Sequence, residues 1–175
     1  LSHKKNNIIH KMIKYEENTV FLKKAYIDHL NWSQGLYRSI IMDKDFKGQL
    51  FHNESPFAKW YYSLEGTVEY YNMSEERRNL LDSIPEYNLK LYNSARKVFG
   101  IESKSKALKI YNSETIPNLN KIESLFEEYS HLNEKSLVKT KEQLMDYNTY
   151  TMIIGITGFM FILTVLLFLS FKILR

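Results

Sequence analysis

The sequence contains no cysteine, and its 175 residues include only three prolines and six glycines. Without thiols the chain has no disulfide framework, no cysteine-ligated zinc or iron–sulfur site and no thiol nucleophile. So few glycines and prolines argue against a many-turned β-sandwich and against low-complexity disorder. The length favours one domain, with room for an appendage.

The chain also has little net charge over most of its length. Of the 24 Lys and Arg, only Lys172 and Arg175 follow residue 147, whereas all 20 Asp and Glu precede it. The first 146 residues therefore carry 22 cationic and 20 anionic side chains, a net charge of +2. A nucleic-acid-binding domain presents a larger and clustered positive charge, so we expect no nucleic-acid partner.

The C-terminal part of the sequence predicts a membrane span. Residues 147–171 have no charged side chain, and residues 152–171 read MIIGITGFMFILTVLLFLSF. A helix needs about 20 such residues to cross a hydrocarbon layer of about 30 Å. We predict a helical domain over residues 1–146, a transmembrane helix over 147–171, and the start of a cytoplasmic linker over 172–175.

The orientation of this span does not follow from its flanks. Lys172 and Arg175 favour a cytoplasmic C-terminus, but Lys135, Lys139 and Lys141 lie on the other side, among acidic residues, so the positive-inside rule is indecisive. The first residue is Leu1, and the chain stops soon after the span. We expect a segment of a longer protein, with an earlier span before Leu1.

The remaining sequence predicts long helices. A first helix is expected over about residues 4–42, a loop over 43–56, and a second helix from Phe57 that is interrupted near Gly66 and Asn72. Ser74 with two following glutamates suits a helix N-terminus. We place Pro85 in the first turn of a third helix and Pro117 at the start of a fourth. Four helices with short connections predict an all-α fold, an antiparallel four-helix bundle that continues into the transmembrane helix.

No enzyme motif is present in the sequence. It has no Gly-rich phosphate loop, no G-x-S-x-G elbow and no H-E-x-x-H. No two of the five histidines are three or four residues apart, and the carboxylates lie on charged helix faces. We therefore expect no enzymatic activity. The cluster that contains His29, Trp32 and Trp60 is richer in aromatics than a plain bundle requires, although core packing also explains such a cluster.

Three segments of the sequence resemble three motifs of a known family and occur in the same order. Residues 25–32 read AYIDHLNW, residues 55–62 read SPFAKWYY, and residues 88–97 read NLKLYNSARK. The chain resembles the chemoreceptor zinc-binding domain, whose first helix carries a D-H-x-x-W core, followed by a Cys segment ending in G-K-W-Y and by P-H-x-x-L-H-x-S-A. The resemblance covers most of residues 20–130, and residues 107–125 look like the region before the second span of membrane receptors.

The chain departs from this family at the metal ligands. The family binds zinc through one Cys and three His, whereas here only His29 stands at a ligand position. The other positions are Ser55, Asn88 and Tyr92. Because thiolate and imidazole supply most of the affinity for zinc, we expect no cofactor, and zinc at His29 stays the minor alternative. If the fold is kept, these four side chains lie together, either as a self-satisfied polar cluster or as a small-molecule pocket with Trp32 and Trp60.

The resemblance implies a function in signalling. The chain would be the extracytoplasmic sensor domain and second span of a bacterial methyl-accepting chemotaxis protein in the inner membrane, acting as a homodimer and relaying a stimulus through its last helix. The sensor region of a diguanylate cyclase or histidine kinase is an alternative. Another is a C-terminally anchored structural or adaptor protein whose helical body binds another protein.

Overall fold

The structure, a computed structural model, describes residues 2–173. The chain is all-α as predicted, and these residues contain no β-strand. The helices in chain order are α1 (Ser2–Met42), a 3₁₀ helix (His52–Glu54), α2 (Pro56–Leu64), α3 (Val68–Tyr71), α4 (Glu75–Phe99), α5 (Lys104–Ile110), a π-helical turn (Tyr111–Thr115) and α6 (Ile116–Ile173).

The ends of the first three helices follow from their local sequence. Asp43 takes a left-handed backbone with φ of 51°, and α1 ends at the residue before it. Ser55 caps α2 by accepting a hydrogen bond from the Ala58 N–H at 3.1 Å. Gly66, with φ of 79°, lies in the turn between α2 and α3. The predicted loop and the predicted interruptions of the second helix are therefore confirmed.

The prediction that a helix starts at Pro85 is wrong. Helix α4 begins at Glu75, where the Ser74 side chain accepts from the Arg77 N–H, and Pro85 lies inside it. An interior proline removes one backbone hydrogen bond and costs about 3 kcal/mol. Leu81 and Ile84 are fully buried on this helix, and burying each such side chain contributes roughly 1.5–3 kcal/mol. Leu91, which follows the proline on the same helix, is also fully buried, so burial on both sides of Pro85 outweighs its local preference.

The helix start predicted at Pro117 lies one residue after the first residue of α6, Ile116, but the chain is already helical before that point. Pro117 has no N–H for the carbonyl four residues earlier, and its ring crowds that carbonyl. The chain passes this point through the π turn, in which the Ile116 N–H bonds to the Tyr111 carbonyl. The Asn118 side chain also donates to the Glu114 carbonyl at 2.7 Å. The helix therefore continues through the proline instead of beginning at it.

The chain divides into two compact units, Glu16–Glu134 and residues 2–15 with 135–173. The larger unit has an apolar core to which α1, α2, α4 and α6 all contribute. Its largest cluster is built by these buried residues: Leu22, Ala25, Phe57, Tyr61, Leu64, Leu81, Ile84, Leu91, Tyr92, Leu119, Ile122, Leu125, Phe126 and Tyr129. A second cluster forms around Leu36, Ile40, Ala95, Val98, Ala107 and Tyr111.

The predicted long apolar helix is confirmed. Within the described residues, one helical run is long and apolar enough to cross a membrane, Lys104–Lys172, with a mean hydropathy of 2.6 in its most apolar stretch. The apolar side chains of this stretch are exposed, including Phe161 and Phe168 at 71% each. A core helix of a water-soluble domain would bury such side chains. Arg175, the second cation predicted to flank the span, lies outside the described residues.

Candidate ligand site

The structure brings four of the six predicted site residues into one buried group. His29 lies on α1, Ser55 at the N-terminus of α2, and Asn88 and Tyr92 one turn apart on α4. Their exposed fractions are 4%, 1%, 1% and 4% in that order. Here this group is called the polar cluster. Because it joins three helices through side chains, its packing depends on the relative placement of all three.

His29 is held by two hydrogen bonds. Its Nδ1 lies 2.6 Å from the Ala25 carbonyl oxygen, one turn earlier on the same helix. Its Nε2 lies 2.9 Å from Oδ1 of Asn88 on α4. Two arrangements satisfy both contacts. Either a cationic ring donates from both nitrogens, or the Asn88 amide turns by 180° and donates its N–H to a neutral ring.

Ser55 connects the polar cluster to the start of α2. Its hydroxyl accepts the Ala58 N–H as the helix cap and lies 3.4 Å from Nδ2 of Asn88. Tyr92 also hydrogen-bonds to Ser55. Burial raises the pKa of Tyr92 to about 12, and it outweighs the hydrogen bond from Ser55, which lowers this pKa. Tyr92 is therefore a neutral phenol at physiological pH.

The two tryptophans lie in different surroundings. The ring of Trp32 packs against Tyr92 with centroids 4.7 Å apart, and its indole N–H donates to the Gln49 carbonyl at 2.7 Å. Trp32 thus borders the polar cluster. Trp60 instead stacks on Phe21, with centroids 4.6 Å apart, and packs against the outside of the core. Trp60 therefore does not lie with the other predicted site residues.

The residues of the polar cluster do not fit a zinc ion. Both nitrogens of His29 are already hydrogen-bonded, and the Ser55 hydroxyl caps a helix. The raised pKa of Tyr92 disfavours the phenolate that a metal would require. Over residues 2–173, no group of three or more His, Asp or Glu side chains is placed to hold a metal. Zinc prefers four N or S donors, which this set does not offer.

Two cavities share Phe46, a residue that the sequence did not single out, and Trp32 lines one of them. Phe46 sits edge-on to Trp32 at 5.6 Å and stacks on Phe99 at 5.6 Å. It lines both a cavity of about 340 Å³, to which Trp32 also contributes, and one of about 460 Å³, to which Phe99 contributes. A Cβ at Gly48 would overlap the Phe46 ring. The sequence does contain a signal for this close approach, namely Gly48 two residues after Phe46, because a glycine leaves room for the ring.

A second set of buried polar contacts surrounds the π turn. The Ser33 hydroxyl on α1 lies 3.0 Å from the Tyr111 hydroxyl, and the Ser94 hydroxyl on α4 lies 2.8 Å from Oγ1 of Thr115. Thr115 and Ser94 are fully buried. The hydrophobic periodicity of the sequence did not identify either pair, because small hydroxyl residues fit both buried and exposed helix positions. Through these pairs the π turn is hydrogen-bonded to both α1 and α4.

Replacing Asn88 by leucine is expected to lower the free energy of unfolding by about 1–3 kcal/mol, because the ring of His29 and the hydroxyl of Ser55 both lose their Asn88 partner. Denaturant titration of the full chain, followed by tryptophan fluorescence, measures this change. Asn79→Leu is the matched control, since Asn79 is exposed on the same helix, and it should change stability by less than about 0.5 kcal/mol. Equal effects of the two substitutions would contradict the structural role of Asn88.

The raised pKa of Tyr92 predicts an alkaline loss of stability. A free tyrosine ionises near pH 10, whereas Tyr92 in the folded chain ionises near 12. The stabilisation is therefore complete below pH 10 and is lost as the pH rises from 10 to about 12, with a slope of up to about 1.4 kcal/mol per pH unit. Tyr92→Phe should make the dependence shallower between pH 10 and 12. An unchanged slope in denaturation measured across this range would contradict the prediction.

Comparison with protein-family models, with curated proteins and with solved structures finds no match to this chain.

Proposed function

We propose that the chain is the extracytoplasmic sensor domain and following span of a bacterial transmembrane receptor of the chemoreceptor type. The observation that carries the proposal is the single helix α6, which runs from Ile116 to Ile173. Its first half supplies Leu119, Ile122 and Phe126 to the core of Glu16–Glu134, and its last part is the exposed apolar stretch. A helix that is both core element and span suits the relay of a packing change.

The sensor domain in this proposal is an antiparallel four-helix bundle. Its members are α1, the short pair α2 and α3, α4, and the first half of α6. The common core to which these elements contribute supports this arrangement. The sequence motifs that resemble those of the chemoreceptor zinc-binding domain support the same architecture, with the metal replaced by the hydrogen-bonded polar cluster.

We place the small-molecule ligand of this sensor in the cavity of about 340 Å³ beside Trp32. The polar cluster itself is less suited to a ligand, because its side chains already hydrogen-bond to one another. Trp32 touches both Tyr92 of the polar cluster and Phe46 of the loop. A ligand that moves the Phe46 ring would therefore disturb the packing of α1 against α4.

The relay begins at the π turn in this mechanism. The turn is hydrogen-bonded to α1 through Ser33 and to α4 through Ser94, and it leads directly into α6. Single π turns within α-helices are frequent at functional sites. A shift of α1 against α4 would therefore act on the start of α6, on the scale of roughly 1–2 Å that is known for helix shifts in switches.

A stripe of exposed apolar side chains on α1 supports the homodimer. Val20, Ile27 and Ile41 stand seven and fourteen residues apart, with the polar Gln34 at the position between the last two, and they are 67%, 54% and 37% exposed. Seven-residue spacing keeps side chains on one seam between paired helices. Val20→Cys is expected to form a disulfide-linked dimer on mild oxidation in membranes, seen on non-reducing gels. Lys47→Cys, at an exposed position of the loop after α1, is the control, and equal cross-linking of both would contradict the α1 interface.

Single cysteines test the topology, since the natural chain has none to interfere. Ser124→Cys is exposed within the larger unit, and Lys172→Cys is exposed at the far end of the span. In spheroplasts, a membrane-impermeant maleimide should label Ser124→Cys at once and Lys172→Cys only after the membrane is opened. The opposite pattern would place the helical body in the cytoplasm and favour the adaptor alternative. Immediate labelling of both would refute the span.

A further inference from the structure

A groove lies beside the start of the apolar stretch, within the unit formed by residues 2–15 and 135–173. It has a volume of about 520 Å³. Lys4 and Lys11 line it from α1, and Asp146, Tyr147 and Tyr150 line it from α6. The sequence suggested no site here, because the lysines and the carboxylate are more than 130 positions apart in the chain.

The groove lies at the depth of lipid headgroups if α6 crosses a membrane. Tyr147 is five residues before Met152, where the apolar stretch begins, and five residues of helix span about 7.5 Å. The headgroup layer on each side of the hydrocarbon is roughly 5–8 Å thick. Tyrosines with one apolar and one polar end are enriched at this level. The groove therefore opens where phosphates of the outer leaflet would stand, in the orientation proposed above.

The charges in the groove are of both signs. The ammonium groups of Lys4 and Lys11 suit a phosphate, whereas the carboxylate of Asp146 repels it and suits a hydrogen-bond donor beside it. We propose that the groove binds the headgroup of a phospholipid that carries a phosphate together with such a donor, namely an ethanolamine ammonium or a glycerol hydroxyl. A choline headgroup has no N–H or O–H and is the poorer ligand. The proposal rests on the membrane span proposed above.

Native mass spectrometry of the full chain released from nanodiscs tests the proposal. The discs contain equal amounts of phosphatidylethanolamine, phosphatidylglycerol and phosphatidylcholine. The released protein is expected to retain phosphatidylethanolamine and phosphatidylglycerol in preference to phosphatidylcholine. The double variant Lys4→Gln/Lys11→Gln should lose retention about fivefold for each lysine, the scale for one cation at a charged headgroup layer. Lys5→Gln/Lys139→Gln removes the same charge from exposed positions that do not line the groove, and it should retain lipid like the natural chain.

The variant Asp146→Asn tests the carboxylate of the groove independently of the two lysines. It should reduce the preference for phosphatidylethanolamine over phosphatidylcholine, while phosphatidylglycerol stays bound through the lysines. Unchanged retention in the Lys4 and Lys11 variant, or equal losses in it and its control, would overturn the proposal. Displacement of the lipid by millimolar inorganic phosphate would also overturn it, because the groove would then be a site for free anions. Failure to enter nanodiscs would refute the span and this site together, whereas entry without headgroup preference would refute the site alone.

Discussion

Replacing Phe57 by alanine is expected to lower the free energy of unfolding by about 3–5 kcal/mol, the range measured for large-to-small changes of buried aromatics. Phe57 is fully buried. Its ring centroid lies 5.4 Å from that of Phe126 and 6.1 Å from that of Tyr61. The side chain therefore joins α2 to α6, and its removal leaves a cavity that neither helix can fill without moving. Since domains are stable by about 5–15 kcal/mol, much of the stability would be lost.

Thermal unfolding of the full chain in detergent, followed by near-ultraviolet circular dichroism, measures this effect without the contribution of the helical span. Phe51→Ala is the matched control. Phe51 is 55% exposed, and the guanidinium of Arg96 lies 5.9 Å from its ring centroid. Its loss should cost no more than about 1 kcal/mol. Similar melting temperatures for the two variants would mean that Phe57 is not a core residue.

Two glycines inserted after Lys141 are expected to abolish signal relay through α6. Glycine costs about 1 kcal/mol per residue in a helix interior, and a pair of them creates a flexible point between the core and the apolar stretch. The assay is a hybrid in which residues 1–175 precede the cytoplasmic module of a characterised chemoreceptor. Asn88→Leu, which perturbs the polar cluster, should shift basal kinase activity of the hybrid by a factor on the order of 5 or more.

The response to Asn88→Leu should disappear in the hybrid that carries the glycine insertion. Two inserted alanines are the first control, because they rotate the following helix by the same angle without breaking it. Seven inserted helix-forming residues are the second control, since they add almost two whole turns and keep the original face. An undiminished response with the glycines would reject relay by a continuous helix. A response lost in all three insertions would point to length instead of continuity.

The fold class and the long apolar helix were readable from the sequence because both depend on local composition. A stretch of 25 residues without charge needs no packing information to be identified. The Ser74 cap and the turn at Gly66 were equally readable, since each depends on neighbouring backbone groups. Pro85 was wrongly predicted to start a helix, because proline is common at helix starts. Helix α6 does begin beside Pro117, but the chain is already helical before it. Burial of Leu81 and Ile84 outweighs the local preference of Pro85, and a π turn precedes the helix start at Pro117.

The candidate site also contains residues that the sequence identified and residues that it did not. The motifs around His29, Ser55 and Asn88 identified residues that the structure places side by side. The same reasoning grouped Trp60 with them, although its ring stacks on Phe21. Phe46 was missed because its contacts with Trp32 and Phe99 arise from a loop that folds back onto α1 and α4. No periodicity of the sequence encodes such a contact.

By itself the sequence determined that the chain is helical, that one helix has the length and polarity of a membrane span, and that no cysteine is available as a metal ligand. Each of these depends on which residues follow one another. The tertiary structure alone decided that the chain stays helical on both sides of Pro85 and Pro117. It also decided that the side chains of His29 and Asn88 hydrogen-bond to each other and that Lys4 and Asp146 line the same groove. The physical reason is that these outcomes depend on burial and on contacts between distant segments, whose free energies can exceed any local preference.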